Sequence, residues 1–512
     1  MGKGGSVSDR EETVMPEDAP GNPGAGRSGP PARQVAQYRT VREMQAKLHH
    51  WAGEDPSRRF GDLFNLVCDL EFLAEAWLRV KQNKGSRTPG IDGATVADIE
   101  NRIGVGAFLE EIRGLLKSGE FRPEPVRRVM IPKKSGKLRA LGILTIADRV
   151  VQAALKLVLE PIFEADFQPC SYGFRPNRRA HDAIAEIHYL ASRPRDYHWI
   201  LEADIRSCFD EIGHVALMDR FRRRIKDKKV CALVKAFLKA GVMTADGDLE
   251  ESYTGTPQGG ILSPLLANIA LSALDDHFTR QWHTQMGNQV QRAKRKRHGL
   301  ANWRLVRYAD DFVVMVSGQR HHAEALQEEV AAVLATLGLR LAEEKTRVVH
   351  IDEGFDFLNF TIRRMRKRGT QKHYVYTVPS KKAIQAIKDK VSAKTYRATR
   401  NLSPEVLIQG INRALAGWAN YFRHGVSKAV FGKIDSHAWG RIMRWLRHKY
   451  KHGRSGIGMP ELRRRFCVPG TWTFAVNGVR FTGASAVPVT RYRYRGSSIP
   501  APWTPQPVSA PS

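Results

Sequence analysis

The sequence predicts an α+β protein, in which a central unit of antiparallel strands mixed with helices is followed by a strongly basic helical segment. Three observations carry this. Short apolar, β-branched runs border charged residues at 128–139, 199–204 and 305–316, the patterning of strands and hairpins. Apolar residues recur at three- and four-residue steps at 149–163 and again beyond residue 380, the patterning of helices. The net charge of +30 is unevenly spread: residues 61–362 hold 43 basic and 40 acidic side chains, whereas residues 363–454 hold 23 and 3.

With 512 residues, 42% of them hydrophobic, the chain can bury a large core. No apolar run reaches the length of a membrane span, so no membrane partner is expected. Residues 1–33 lack the apolar stretch of a secretory signal and are rich in Gly, Pro and Ser, which predicts a disordered tail. The five cysteines (Cys68, Cys170, Cys208, Cys231 and Cys467) form no CxxC pair, which argues against a disulfide framework or a cysteine zinc site and fits a reducing cytoplasm. The charge points to a polyanion, because Lys and Arg that neutralise phosphates displace condensed counterions.

Each element has its own warrant. Arg128–Pro132 and Leu138-Arg139, joined by Lys133-Lys134-Ser135-Gly136-Lys137, read as a hairpin with a basic turn. Residues 149–163 read as a core helix. Trp199–Asp204 begins as an apolar strand and ends in carboxylates. In the segment Gly255–Asn268, Gly259-Gly260 permits close backbone approach to a ligand. Ser263 can cap, and Pro264 open, the apolar helix that follows. Residues 280–307 carry eight basic residues (including Arg304 and Arg307) and no acidic one, which predicts an exposed loop or helix ends that contact nucleic acid. Leu305-Val306 and Phe312–Val316 flank Tyr308-Ala309-Asp310-Asp311, a hairpin with aspartates at its tip.

Adjacent carboxylates repel unless a cation lies beside them, and hard divalent ions fill that place with oxygen ligands. Asp204, about 100 residues before Asp310, can sit on a neighbouring strand of the same sheet. Three carboxylates on two strands can hold two Mg²⁺ ions roughly 4 Å apart for nucleotidyl transfer.

The ordered set Asp204-x-x-x-x-Phe209, Pro257-Gln258-Gly259 and Tyr308-Ala309-Asp310-Asp311 resembles the palm of reverse transcriptases. With Gly90–Gly93, Ile131–Lys134, Ser171–Pro176, Ser263–Asn268 and Gly417–Phe422 it is similar, from about residue 34 to 455, to the reverse transcriptase/maturase encoded by bacterial group II introns. The resemblance implies a right-hand polymerase with antiparallel sheet. It places an N-terminal extension and the start of the fingers at 34–125, fingers and palm at 126–365, a thumb/maturase domain at 366–454 and a basic extension at 455–512. It implies catalytic aspartates at Asp204, Asp310 and Asp311, which with the Ile205 carbonyl hold the metal. It implies dNTP contacts at Lys133, Arg139, Phe209 (a steric gate against the 2′-hydroxyl), Gln258 and Lys345. Lys345 reads equally as a proton donor to pyrophosphate or as a solvated lysine. Phe355–Phe360 matches a primer-gripping hairpin. Arg175 and Arg178 are candidate contacts to template phosphate or base, weighed evenly against no such role.

The implied partners are group II intron RNA, an RNA template/DNA primer duplex and target DNA, within a cytoplasmic, nucleoid-associated ribonucleoprotein. Helices at 381–394, 403–422 and 430–446 carry cationic faces, with Arg441, Arg444 and Arg447 as RNA contacts. Arg491-Tyr492-Arg493-Tyr494-Arg495 suits single-stranded nucleic acid and reads equally as a disordered basic tail. No paired cysteines follow Cys231, so an HNH endonuclease is not expected. The main reading is an RNA-directed DNA polymerase that assists splicing of its intron. The alternatives are a domesticated reverse transcriptase of a defence or diversity-generating system, and a splicing-only maturase.

Overall fold

The computed structural model describes residues 32–132, 138–244, 246–251, 253–450, 456–496 and 499–504, with side chains from residue 40 onward. Of the predicted tail 1–33, residues 1–31 lie outside the described residues while Ala32 and Arg33 open the first helix, Ala32–Glu54; the basic turn 133–137 also lies outside. Strand β1 (Val126–Pro132) pairs antiparallel with β2 (Leu138–Ile143), with Ile131 opposite Arg139. Strand β3 (Trp199–Asp204) belongs to a second sheet. Strand β4 (Val242–Met243) joins β1 in parallel, and β5 (Leu249–Glu250) completes the first sheet in the order β2-β1-β4-β5.

The second sheet is the centre of the molecule. Strands β6 (Asn302–Tyr308) and β7 (Asp311–Ser317) form the predicted acidic hairpin; β3 lies beside β7, and β8 (Arg347–His350) lies beside β3. All three pairings are antiparallel, in the order β6-β7-β3-β8. Side chains of successive strand residues point to opposite faces, so this sheet feeds two cores. Phe312, Val314 and Val316 join one with Leu201 and Ala203; Val313 and Met315 join the other with Ile200 and Val306.

Behind the first face lies the helix Ile146–Asp166, which the 149–163 periodicity predicts. It is buried along nearly its whole length and packs on the helices Ala32–Glu54 and Leu70–Gln82. Its start is fixed by Thr145, whose hydroxyl accepts from the Asp148 N–H. The second face rests on the helix Ala180–Ala191 and on a third sheet of β9 (Phe355–Phe357), β10 (Phe360–Arg366) and β11 (His373–Pro379). Leu358 and Asn359, with φ of 47° and 65°, make the two-residue β9–β10 turn. The helices Lys381–Lys394, Pro404–Phe422 and Lys428–Lys449 follow, matching the predicted amphipathic segment. They close around Ile387, Ile411, Trp418, Phe431 and Ile442.

Residues 456–496 add a helix, Met459–Phe466, and the small hairpin of β12 (Ala475–Val476) and β13 (Val479–Arg480), and then run as an extended strap. The strap is not a free tail. Tyr492 donates its hydroxyl to Asp182 at 2.9 Å, Tyr494 donates to Glu186, and Tyr494 stacks on Tyr189 with ring centroids 4.4 Å apart. Farther along, Trp503 donates to Gln45 at 3.3 Å on the N-terminal helix. The tyrosines are therefore engaged with protein and not offered to bases, which corrects the reading of this stretch as a stacking surface or a disordered tail.

Candidate active site

The site grows from the β6–β7 turn. Tyr308 faces Asp311 across the hairpin, and Ala309 and Asp310 make the turn. Ala309 adopts φ 57°, a left-handed conformation that an L-residue keeps only when its surroundings impose it. Two neighbours do so. Gly173 presses so close that a Cβ there would stand 2.3 Å from the Ala309 nitrogen. Arg307, fully buried, donates to the Ala309 carbonyl at 2.8 Å.

The same guanidinium donates to Asp275 at 2.7 Å through Nε and again through Nη2, to Asn268 at 3.0 Å and to Ser171 at 2.8 Å. All five of its N–H donors are thus used inside the protein. Asn268 in turn donates to the Gly173 carbonyl at 2.9 Å. One buried cation therefore locks together the Ser171–Phe174 loop, the helix Ser263–Thr284 and the acidic turn. This corrects the reading of residues 280–307: Arg307 cannot reach nucleic acid, and Arg304 lies over the Trp282 ring at 4.4 Å. Only the helix Gln289–Arg297, with no buried residue, is the exposed basic element expected there. Sequence reasoning missed the network, although Asn268 and Asp275 stand seven residues apart, on one face of the helix. Ser263 also differs from expectation: its hydroxyl donates back to the Pro257 carbonyl at 2.8 Å, fastening the loop and not capping the helix.

Asp204 ends β3 directly opposite Asp311. Its carbonyl accepts from the Ala342 N–H at 2.8 Å, and the Lys345 N–H donates to the Ala342 carbonyl at 3.0 Å. This crossover brings the Lys345 ammonium onto the Asp204 carboxylate, an ion pair across 141 residues of sequence. Asp204 and Asp311 thus lie opposite each other at one end of the two inner strands, with Asp310 in the adjoining turn and Ile205 next in line, bridged to Leu341. Loss of surrounding water, then the charges of Asp310 and Asp204, push the Asp311 carboxyl up to about 7, against the pull of Lys345. Enclosure and Asp204 also raise Asp310, while Arg139 and Arg307 pull it down. Among the described residues, no three His, Cys, Asp or Glu side chains form a ready-made metal cage. The donor chemistry still fits Mg²⁺, which keeps waters and takes one or two carboxylates together with substrate phosphates.

Around the aspartates stand the other expected groups. Phe209, half-buried in the short helix Cys208–Glu211, meets Phe174 edge-on at 6.3 Å, and its carbonyl accepts from the Thr256 N–H at 2.6 Å. Gln258 donates to Asp210 at 3.1 Å, and its carbonyl accepts from the Gly142 N–H at 2.7 Å, which joins β2 to the loop. Arg139 is exposed on β2 and close enough for its charge to act on Asp310. Lys133 lies outside the described residues.

Arg175 and Arg178 resolve toward the interior. Arg175 pairs with Glu164 at 2.7 Å, both side chains almost fully buried, and donates to the Gln168 and Ser171 carbonyls. Arg178 is buried over the Tyr172 ring and donates to the Pro169 carbonyl. Neither faces a template. Arg441 braces the end of the helix Lys381–Lys394 through Ser392 and Thr395, and Arg447 donates to the Ile457 carbonyl. Of these three only Arg444 is exposed.

Comparison with known proteins fits this geometry. Residues 131–362 match the family model "Reverse transcriptase (RNA-dependent DNA polymerase)", and residues 384–465 match "Group II intron, maturase-specific domain". Protein YkfC of Escherichia coli (strain K12) is 39% identical over 360 residues, which are 67% of this chain and 93% of that protein. The chain belongs to the group II intron reverse transcriptase/maturase family. The group II intron-encoded protein LtrA of Lactococcus lactis subsp. cremoris is 35% identical over 359 residues, 61% of this chain and 58% of LtrA. Nuclear intron maturase 1, mitochondrial, of Arabidopsis thaliana is 24% identical over 293 residues, 42% of this chain and 40% of that protein. In this reverse transcriptase/maturase the aspartates, Phe209, Gln258 and Lys345 fall inside the reverse transcriptase match, and Arg441, Arg444 and Arg447 inside the maturase-specific match. Its enzymatic class is RNA-directed DNA polymerase. Among the described residues no helix is long and apolar enough to cross a membrane.

Proposed function

We propose that this chain copies group II intron RNA into cDNA from a DNA primer, and that it binds the same intron RNA to assist splicing and insertion into target DNA. The observation that carries the polymerase reading is the convergence of Asp204, Asp310 and Asp311 at one end of the two inner strands, in register across β3 and β7. With it goes a right-hand arrangement: the sheet β2-β1-β4-β5 as fingers, the central sheet β6-β7-β3-β8 as palm, and the helices after residue 380 as thumb and maturase domain.

Asp204, Asp310 and Asp311, with the Ile205 carbonyl, would hold two Mg²⁺ ions. Bound there, the metal supplies the charge that activates a 3′-hydroxyl and neutralises pyrophosphate. The protein's own groups do the rest. Arg139 and Lys133 bind the dNTP triphosphate, the rigid guanidinium fork suiting paired phosphate oxygens. The Phe209 ring, held edge-on by Phe174, crowds a 2′-hydroxyl. Gln258 releases Asp210 to pack beside the sugar. The Lys345 ammonium, paired with Asp204, would donate a proton from its Nζ to the departing pyrophosphate. The ribonucleoprotein works in the cytoplasm beside the nucleoid.

Primer extension on an RNA template with Mg²⁺ and dNTPs tests the reading. Wild type extends and Asp310→Ala does not; an inactive wild type, or equal extension by the variant, refutes it.

A further inference from the structure

A second basic site lies away from the aspartates. A cavity of about 1430 Å³ opens between the helix Ala180–Ala191, strand β11, the turn at His424–Lys428 and the strap at 489–494. None of the catalytic or nucleotide-contacting residues lines it. Its volume exceeds the range of about 300–1,000 Å³ usual for small-molecule pockets, which favours a polymer.

The strap decides the charge of this cleft. Its side chains alternate with period two. Tyr492 and Tyr494 turn inward and donate to Asp182 and Glu186, and Arg495 pairs with Asp182. These contacts use the two carboxylates that the helix offers. Arg491 and Arg493 are left exposed and line the cleft together with exposed Lys372, just before β11, and exposed Arg193 beyond the helix. No carboxylate of the described residues pairs with any of the four, and Asp196 is the one carboxylate in the cleft lining. The field is felt locally: burial, with Arg491 adding to it, holds His188 below the usual histidine range. Tyr374, 47% exposed on β11, lines the same cleft. Cations without counter-carboxylates beside an exposed aromatic ring match the chemistry of a single-stranded nucleic acid.

We infer that this cleft is a second RNA-binding site, completed by the C-terminal strap, which grips an unpaired segment of RNA through Arg193, Lys372, Arg491 and Arg493 with a base against Tyr374. RNA is favoured because the cleft runs into His424–Lys428, inside the maturase-specific match. The inference rests on the intron-RNA part of the proposed function, and the two can fail separately.

The test uses the full chain with its polymerase cleft filled by an RNA template/DNA primer duplex. A short single-stranded RNA carrying 4-thiouridine is then added as the probe. Binding of this second RNA is expected, with photo-adducts on the β11 and strap peptides. Replacing Arg193, Lys372, Arg491 and Arg493 by Ala should lower the steepness of log K against log salt by about 2–3, at roughly 0.7 per phosphate contact. Because these side chains are exposed, primer extension should keep the wild-type rate. Tyr374→Ala should remove the β11 adduct without changing the salt slope. An unchanged slope in the fourfold variant overturns the site, as do adducts mapping elsewhere or equal capture of a matched DNA strand. Failed primer extension with intact cross-linking would instead overturn the polymerase reading alone.

Discussion

Removing the Arg307 side chain tests whether one buried cation sets the position of the Asp310-Asp311 turn, proposed above to be catalytic. In Arg307→Met the Asp275 carboxylate, with no exposed surface, loses its only ion-pair partner among the described residues. Breaking a buried pair from one side costs about 3–5 kcal/mol, because a charge is left unpaired in low dielectric. At roughly 2–4 °C per kcal/mol for a domain of 150–250 residues, the melting temperature of this unit should fall by about 6–20 °C. The double variant Arg307→Met/Asp275→Leu removes both charges and should recover most of that loss, since apolar replacement of a buried pair is often neutral. Neither variant restores a donor to the Ala309 carbonyl. A 1 Å misplacement at a reacting centre costs about 100-fold, so single-turnover primer extension should stay down by about that factor in the double variant, with dNTP affinity nearly unchanged. Thermal melts and rapid-quench extension measure the two effects. Full recovery of the rate in the double variant would show that Arg307 contributes stability and nothing to the placement of Asp310.

Other perturbations follow from the same contacts. Gly173→Ala puts a methyl 2.3 Å from the Ala309 nitrogen, so backbone must shift, and extension should fall at least tenfold; wild-type activity would mean that the close approach is not required. Phe209→Val should open the space beside the sugar and raise ribonucleotide incorporation, read as the ratio of kcat/KM for rNTP and dNTP; an unchanged ratio would make Phe209 a plain core ring. Asp148 is raised from 3.8 to about 7 by burial. The folded state therefore holds its proton more tightly than the unfolded chain does, and stability falls as pH rises between those values and levels off above about 7. Asp148→Asn keeps an acceptor for the Thr145 hydroxyl and the Glu124 N–H, and should flatten that slope in melts across this range. Arg175→Ala leaves buried Glu164 only its longer, 4.0 Å pair with Arg178, and should destabilise by up to about 3–5 kcal/mol without altering template affinity; a loss of template affinity at full stability would return Arg175 to the template.

The sequence by itself determined the elements whose signal is local. Two short apolar, β-branched runs flanking Asp310-Asp311 made the hairpin, and three- and four-residue spacing made the helix Ile146–Asp166 and the basic helices after residue 380. The regional charge count separated a near-neutral catalytic unit from its basic neighbour, because charge is additive along the chain. Side-chain direction is not local, and there the tertiary structure decided. Arg175, Arg178 and Arg307 read as basic residues in nucleic-acid-binding stretches, yet each is buried, because Glu164 and Asp275 reach them from another loop or helix. Lys345 meets Asp204 only because Ala342 bonds to β3. The tyrosines of the strap read as stacking platforms until Asp182 and Glu186, more than 300 residues earlier in the chain, take their hydroxyls. A charge or ring in sequence carries no record of which long-range partner will neutralise or cover it, and that pairing separates a residue that holds the fold from one left free to hold RNA.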